Sequence, residues 1–409
     1  MRTLLTISFL CIVANASAVV IFVAAGSEHS NISHAVKMAR VSDTIIIKKG
    51  IYKEGNITIT KSIALIGDGA ILDGENKYEI LTVSANNVII KGITFRYSGK
   101  SSLNDLASIK IIDASGFIIE DNTINNAHFA IHISNCRNFI IRNNTIKGTP
   151  GDEQNTGNGI HLWQCEKASI TANIINGHRD GIYFEFVTHS QIVNNYSTGN
   201  IRYGLHFMFS NDDAYQYNTF SANGAGVAVM FSHHIKMTNN RFSKNIGAAS
   251  YGLLLKEISD GEISFNHFAE NTIGVFIEGS NRLSVTSNNF IKNGFAMRMQ
   301  ASCNENSVDA NNFIANTFDV STNGSLMLNK LFKNYWDKYE GYDLNKDGTG
   351  DVPYRPVSLY SMIIETTPVA SMFLRSFIVN IMDRAEKALP VIIPEQMKDD
   401  VPVMHPYKI

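Results

Sequence analysis

"GLHFMFS" occupies residues 204–210 and "GVAVMFS" occupies 226–232, one glycine-led beat restarting 22 residues later. The same beat occurs as "GIHLW" (159–163), "GIYFE" (181–185), "GLLLK" (252–256) and "GVFIE" (274–278), flanked by the alanine-led "AIHIS" (130–134) and "AMRMQ" (296–300). A second beat keeps step with it: "DNTI" at 121, "NNTI" at 143, "YNTF" at 217, "NNRF" at 239, "FNHF" at 265, and "NNF" at 288 and 311. Each unit holds two or three short runs of alternating polarity separated by Asn, Gly and Ser, which leaves no room for a helix. One unit cannot bury its apolar side alone, but stacked units can, so the pattern predicts a solenoid.

The expected fold is all-β, a right-handed parallel β-helix of the pectate-lyase-like type, with coils of about 22 residues spaced about 4.8 Å apart. Positions one and three after each glycine face inward: Ile160/Leu162, Ile182/Phe184, Leu205/Phe207, Val227/Val229, Leu253/Leu255 and Val275/Ile277. The recurring Asn faces the turn, laddering its amide from coil to coil and satisfying backbone groups that the bend leaves unpaired. "SNISHAVKMAR" (30–40) predicts a capping helix with Ser30 or Asn31 as N-cap and Ile32, Ala35, Val36 and Ala39 on one face. The repeat stops near Tyr335. Residues 368–389 predict an amphipathic helix with Leu374, Phe377, Ile378, Ile381 and Met382 in its apolar stripe. The chain therefore divides into a leader (1–18), the β-helix with its cap (19–333), an aromatic and glycine-rich segment (334–360), and a C-terminal helix and tail (361–409).

The leader, "MRTLLTISFLCIVANASA", has one positive charge, an apolar run and small residues that suit cleavage after Ala16 or Ala18. Export is the expectation, and a retained membrane anchor is its rival because uncharged sequence continues to Gly26. With 35 basic against 37 acidic residues the formal net charge is −2, which exerts no pull toward nucleic acid. "GKSS" (99–102) resembles the end of a phosphate loop, but the glycine required earlier is Thr94, so ATP use belongs to a partner.

On the outward side, position two reads His132, His161, Tyr183, His206, Ala228, and position four reads Ser134, Trp163, Glu185, Met208, Met230. His161, Tyr183, Glu185, His206, Met208 and Met230 are the candidate contact residues. The Met208/Met230 pair, with His206 beside it, reads either as soft thioether and imidazole ligands for Cu(I) or as an adaptable apolar contact surface. A glycosidase needs two carboxyls about 5 to 9.5 Å apart, and Glu185 has no second acid beside it, so a carbohydrate-active enzyme is the weaker alternative. Cys136 and Cys165 fall at the same slot of adjacent coils, either as a disulfide or as buried thiols. "DLNKDGTGD" (343–351) spaces Asp343, Asn345, Asp347, Thr349 and Asp351 much as a calcium loop does, without the bidentate Glu. A structural calcium site and a plain Asx turn both stand.

"GLHFMFSNDDAYQYNTFSANGAGVAVMFS" (204–232), "GLLLKEISDGEISFN" (252–266) and "NYWDKYEGYDLNKDGTGDVPYRPVSLYS" (334–361) resemble the NosD family of nitrous oxide reductase maturation proteins over essentially the whole mature chain. The resemblance implies a periplasmic, non-enzymatic subunit acting with an ABC-type ATPase and its membrane permease to assemble the copper–sulfur centre of nitrous oxide reductase. It also implies that copper arrives through a small copper chaperone. It transfers no catalytic residue. It gives the methionine column a reason to handle copper or dock the client, and the C-terminal stripe, which could also close the last coil, is a candidate permease contact.

Overall fold

The computed structural model describes residues 18–24, 30–101, 103–324, 328–374, 376, 377, 379, 381, 382 and 397–409, so the expected leader lies outside them but for Ala18. The glycine-led beat forms one face of a right-handed parallel β-helix, a sheet of 12 strands running from Ile57–Ile59 to Phe318–Ser321. The remaining strands form a second, 25-stranded sheet. Every strand pairing is parallel and joins one coil to the next, as in Tyr203–Met208, which pairs with Asp180–Glu185 on one side and Ala225–Met230 on the other. The expected register holds: Leu205 lies between Ile182 and Val227, and Phe207 between Phe184 and Val229. All twelve residues assigned inward are at most 1 % exposed, whereas Met208 and Met230 reach the surface. A slip of one residue would invert this pattern.

The glycine at the start of each beat has a steric cause. A Cβ on Gly181 would stand 2.7 Å from the Gly204 carbonyl oxygen, one on Gly204 2.8 Å from that of Gly226, and one on Gly226 2.2 Å from that of Gly252. At these three positions the coils approach too closely for a side chain, whereas the flanking coils carry Ala130 and Ala296 in the same slot. Gly226→Ala is expected to lower stability by about 1–3 kcal/mol through forced displacement of the next coil, read as a drop in the urea midpoint. A midpoint equal to that of the parent would place the close approach elsewhere.

Inside, the second beat builds two columns. Phe220, Phe242, Phe268, Phe290, Phe313 and Trp336 stack with centroids 4.1–5.6 Å apart. Beside them Asn122, Asn144, Asn173, Asn195, Asn218, Asn240, Asn266, Asn288, Asn311 and Asn334 form a buried ladder. Each Nδ2 donates to the Oδ1 of the next at 3.0–3.1 Å. That Oδ1 also accepts the backbone N–H of the preceding Asn, for example Asn195 N to Asn218 Oδ1 at 2.9 Å. Turn backbone that no strand satisfies is paired in this way.

At the N-terminal end, helix α1 (Ile32–Met38) begins at Asn31, whose side chain accepts the His34 N–H, and Ile32, Ala35, Val36 and Ala39 are buried on the first coils. The other end departs from expectation. The segment 397–409, grouped with the C-terminal helix as its tail, folds back over the last coil: Met397 and Asp399 are fully buried, and Asp399 and Val403 bridge to Leu331 and Tyr335. Asp399 Oδ2 accepts from Asn334 N (2.8 Å), Asn334 Nδ2 (3.2 Å) and Trp336 Nε1 (3.1 Å), taking the place of the next rung of the ladder.

A further helix precedes the expected C-terminal one. Helix α2 spans Leu359–Thr366 and is capped by Ser358, whose hydroxyl accepts the Ser361 N–H, and Pro368 opens a separate 3-10 turn to Phe373. Proline disfavours helix in the residue before it, so α2 ends at Thr366, and of the expected 368–389 helix the described residues Phe377, Val379, Ile381 and Met382 are helical. Leu374, Phe377 and Ile381 are exposed, Met382 packs against Tyr360, Ile364 and Val379, and Ile378 lies outside the described residues. The helix is tied to the solenoid by Glu365, which binds Arg298 and Ser321.

Candidate functional site

Strand pairing brings the six outward candidates onto one face of four successive coils. Tyr183 is in register with His161 and His206, and Glu185 with Trp163 and Met208, while Met208 pairs with Met230. Rings in the first column stack: His132 on His161 at 4.7 Å, His161 on Tyr183 at 4.7 Å, and Tyr183 against His206 at 5.1 Å. Burial first, with His132 beside it, pushes the His161 imidazole down to about 3, so it is neutral at physiological pH. Asn158 Nδ2 donates to its Nδ1 at 3.0 Å.

His206 is not turned to the methionines. Its Nδ1 lies 3.5 Å from Asp180 Oδ2 and 3.3 Å from Arg202 Nη2, because the fully buried Asp180 carboxylate needs compensation there. Burial alone would raise the Asp180 carboxyl, but hydrogen bonds from His206 and Arg202 outweigh it and hold it below the usual range. The Arg202 guanidinium binds it with both arms, at 3.0 and 2.6 Å. The neighbour of the Met pair is instead Tyr183, whose hydroxyl sits 3.2 Å from Glu185 Oε2 and 3.8 Å from Met208 Sδ. Burial, with Glu185 adding to it, raises that phenol to about 12, so it stays protonated and can donate to either. Glu185 thus has a phenol, not a second acid, as its partner.

Two further features belong to this face, one of them His132, which the alternation places in the column but outside the candidate set. His132 joins the ring column, with Asp105 3.7 Å from its Nε2. Phe186, Phe209 and Phe231 form a half-exposed stack at 5.3 and 5.2 Å, one residue beyond the methionine column. Their signal is present in "FEF", "FMF" and "VMF" (184–186, 207–209, 229–231), but these phenylalanines lie at the fifth position, where the strand has ended and alternation no longer assigns a side.

The other candidates lie apart from this face. Cys136 and Cys165 are free, buried thiols in adjacent coils, not a disulfide. Burial pushes the thiols up to about 11 and about 12, so both stay protonated. In the 343–351 loop Asp343 accepts the Asp347 and Gly348 N–H groups, Asp347 accepts that of Thr349, and Asp351 accepts that of Leu344. Asn345 also accepts from Asp347 N, so the loop closes on its own Asx bonds.

Sheet topology and register define a protein of the pectate-lyase-like β-helix class. A surface adhesin of Streptococcus pneumoniae, PfbA, aligns with a TM-score of 0.56 at 12% identity, covering 75% of this chain and 88% of its own. A family 28 exopolygalacturonase of Yersinia enterocolitica aligns at 0.53 with 11% identity, covering 77% and 78%. At that identity the likeness is one of fold alone. The sequence model of the family described as "Periplasmic copper-binding protein (NosD)" matches residues 143–347, half of the chain, and the protein belongs to this family. The family is periplasmic, and so is this member. Among the described residues no helix is long and apolar enough to cross a membrane. A protein of Pseudomonas aeruginosa called "Probable ABC transporter binding protein NosD" is 29% identical over 131 residues, and its counterpart in Stutzerimonas stutzeri 27%. Each match covers 31% of this chain and 30% of the relative, so the chain spans under a third of the length of these relatives.

Proposed function

We propose that the protein is a periplasmic, non-enzymatic adaptor that works with an ABC-type permease and ATPase in the maturation of nitrous oxide reductase, where it hands over Cu(I) for the copper–sulfur centre. The observation that carries the reading is the in-register Met208/Met230 pair, partly exposed on rigid strands of a chain whose family is described as copper-binding. Two thioethers are soft ligands suited to Cu(I), and the strand pairing sets them side by side without ordering a flexible loop. Tyr183 and Glu185 form the polar border of this pair, and the Phe186/Phe209/Phe231 stack next to it offers apolar surface to a copper chaperone or to the reductase. His161 and His206 are bound to Asn158 and to Asp180, and they brace the face from behind.

The exposed Leu374, Phe377 and Ile381 beyond helix α2 are the proposed permease contact. Calcium at the 343–351 loop is a weaker proposal, since the loop's own hydrogen bonds already close it.

The test is reductase maturation in cells carrying Met208→Leu/Met230→Leu, which keeps volume and apolarity but removes both sulfurs. The variant should fold and still capture its transporter, yet yield reductase without its copper–sulfur centre. Fully metallated reductase from these cells would return the column to a contact surface.

A further inference from the structure

The corner following the methionine strands carries a second set of ligands on the same two coils. The eighth position after each strand glycine is a left-handed turn residue: His189, Asp212, His234, Asp260 and Arg282, with φ between 54° and 59°. Their backbone N–H groups donate to the next coil, Asp212 N to His233 O at 3.2 Å and His234 N to Ser259 O at 3.1 Å, so the column is as fixed as the strands. His233 is fixed as well, its N–H bonded to Asn211 Oδ1 at 2.9 Å.

Three side chains converge there. His234 Nδ1 lies 3.1 Å from Asp212 Oδ1 and 3.2 Å from His233 Nδ1, and one donor atom from each residue falls within 4.8 Å of the others, all on exposed residues. The next residue along the column, Asp260, is engaged by both arms of Arg282 at 2.7 Å each, so the set closes at three.

His234 Nδ1 has one in-plane site for two short contacts, so at most one of them is an ordinary two-centre hydrogen bond, and the set is well suited to a cation. A carboxylate only accepts, and a neutral imidazole nitrogen either donates or accepts. If His234 Nδ1 donates to Asp212, it cannot accept from His233. If it accepts from His233, its neighbour is a carboxylate that has no proton to offer. A single positive ion at the focus satisfies all three atoms at once. The spacing fits too: metal bonds of about 2.0–2.1 Å in a tetrahedral site set neighbouring ligand atoms about 3.3–3.4 Å apart.

We propose that Asp212, His233 and His234 bind one borderline divalent transition-metal ion, of the Zn(II) and Cu(II) class, with a coordination position left open to solvent. Two imidazoles and a carboxylate suit these ions rather than Mg(II) or Ca(II), and the order of divalent affinities makes Cu(II) the tightest. The proposal does not rest on the methionine reading, because thioethers take the soft, reduced ion and this set the borderline, oxidised one.

The test is titration of untagged mature protein with Zn(II), with Cu(II), and with Mg(II) as control. One tight Zn(II) site is expected, with Cu(II) tighter and Mg(II) silent, and Zn(II) should raise the melting temperature by mass action. Because outer-shell partners alone are worth about 10–100-fold in affinity, His233→Gln/His234→Gln should weaken the site by more than about 100-fold. Met208→Leu/Met230→Leu should leave it intact. Asp212→Asn, which keeps the turn, serves as a second variant should the double change disturb folding. Absence of a one-ion Zn(II) or Cu(II) site in the parent protein, or unchanged affinity in the folded His233→Gln/His234→Gln or Asp212→Asn variants, would mean a surface ion pair only and overturn the proposal.

Discussion

Replacing Asp399 by alanine is expected to open the C-terminal end of the solenoid. The carboxylate receives Asn334 N, Asn334 Nδ2 and Trp336 Nε1 on one oxygen and Lys333 N at 3.0 Å on the other, all in a site where the Asp399 side chain is fully buried. Each buried donor left without a partner costs about 1–3 kcal/mol, so with partial relaxation the loss should reach about 3–5 kcal/mol, the scale of breaking a buried charged contact. The effect should be local at first, since stacked coils depend on their nearest neighbours. Hydrogen exchange should therefore rise around Asn311, Asn334 and Trp336 before it rises around Asn195. Asp399→Asn should recover part of the loss, because an amide oxygen can still end the ladder. If Asp399→Ala melts with the parent, the tail is an accessory and not the terminal rung.

Arg202→Met is expected to have a comparable effect with a distinct pH signature. Asp180 is fully buried, and loss of the guanidinium leaves its carboxylate with only His206 Nδ1 at 3.5 Å and the Tyr203 N–H at 3.3 Å. Removing one partner of a buried pair costs about 3–5 kcal/mol. In the parent, the folded carboxyl is held below its unfolded value of about 3.9, so its contribution is present above that value and lost as pH falls through the lower folded one. In the variant burial dominates and the folded value rises above the unfolded one, so the penalty grows as pH rises. The stability gap between the two proteins should be narrow near pH 4 and widest near pH 7. A gap independent of pH would assign the role of Arg202 to its packing over the Tyr203 ring, 4.9 Å away, instead of to the charge.

The coil, its register and its inward residues were legible because period-2 alternation and a fixed repeat length are properties of neighbouring residues. The glycine beat was legible as a marker, though its cause, contact with the carbonyl of the next glycine, appears only once Gly181, Gly204 and Gly226 are stacked. Asp399 was illegible because its partner Asn334 is 65 residues away and nothing in "MKDDVPV" (397–403) indicates which acid will be buried. The outward site was half legible. Column membership follows from alternation, but the direction a long side chain takes within its column depends on the charges around it. His206 was therefore assigned to the methionines when Asp180 in fact holds it. The His233–His234 pair escaped notice because its partner Asp212 belongs to the previous coil and looks, by itself, like an ordinary turn residue.

Competition titration of the mature protein against a Cu(I) chelator of known affinity, under reducing and anaerobic conditions, measures the Met208/Met230 pair as a Cu(I) site most directly. The predicted result is one Cu(I) per chain, with sulfur ligands visible in the X-ray absorption edge, and loss of that binding in Met208→Leu/Met230→Leu while His233→Gln/His234→Gln retains it. Cu(I) held with equal affinity by the methionine double variant, or not held by the parent at all, would contradict it.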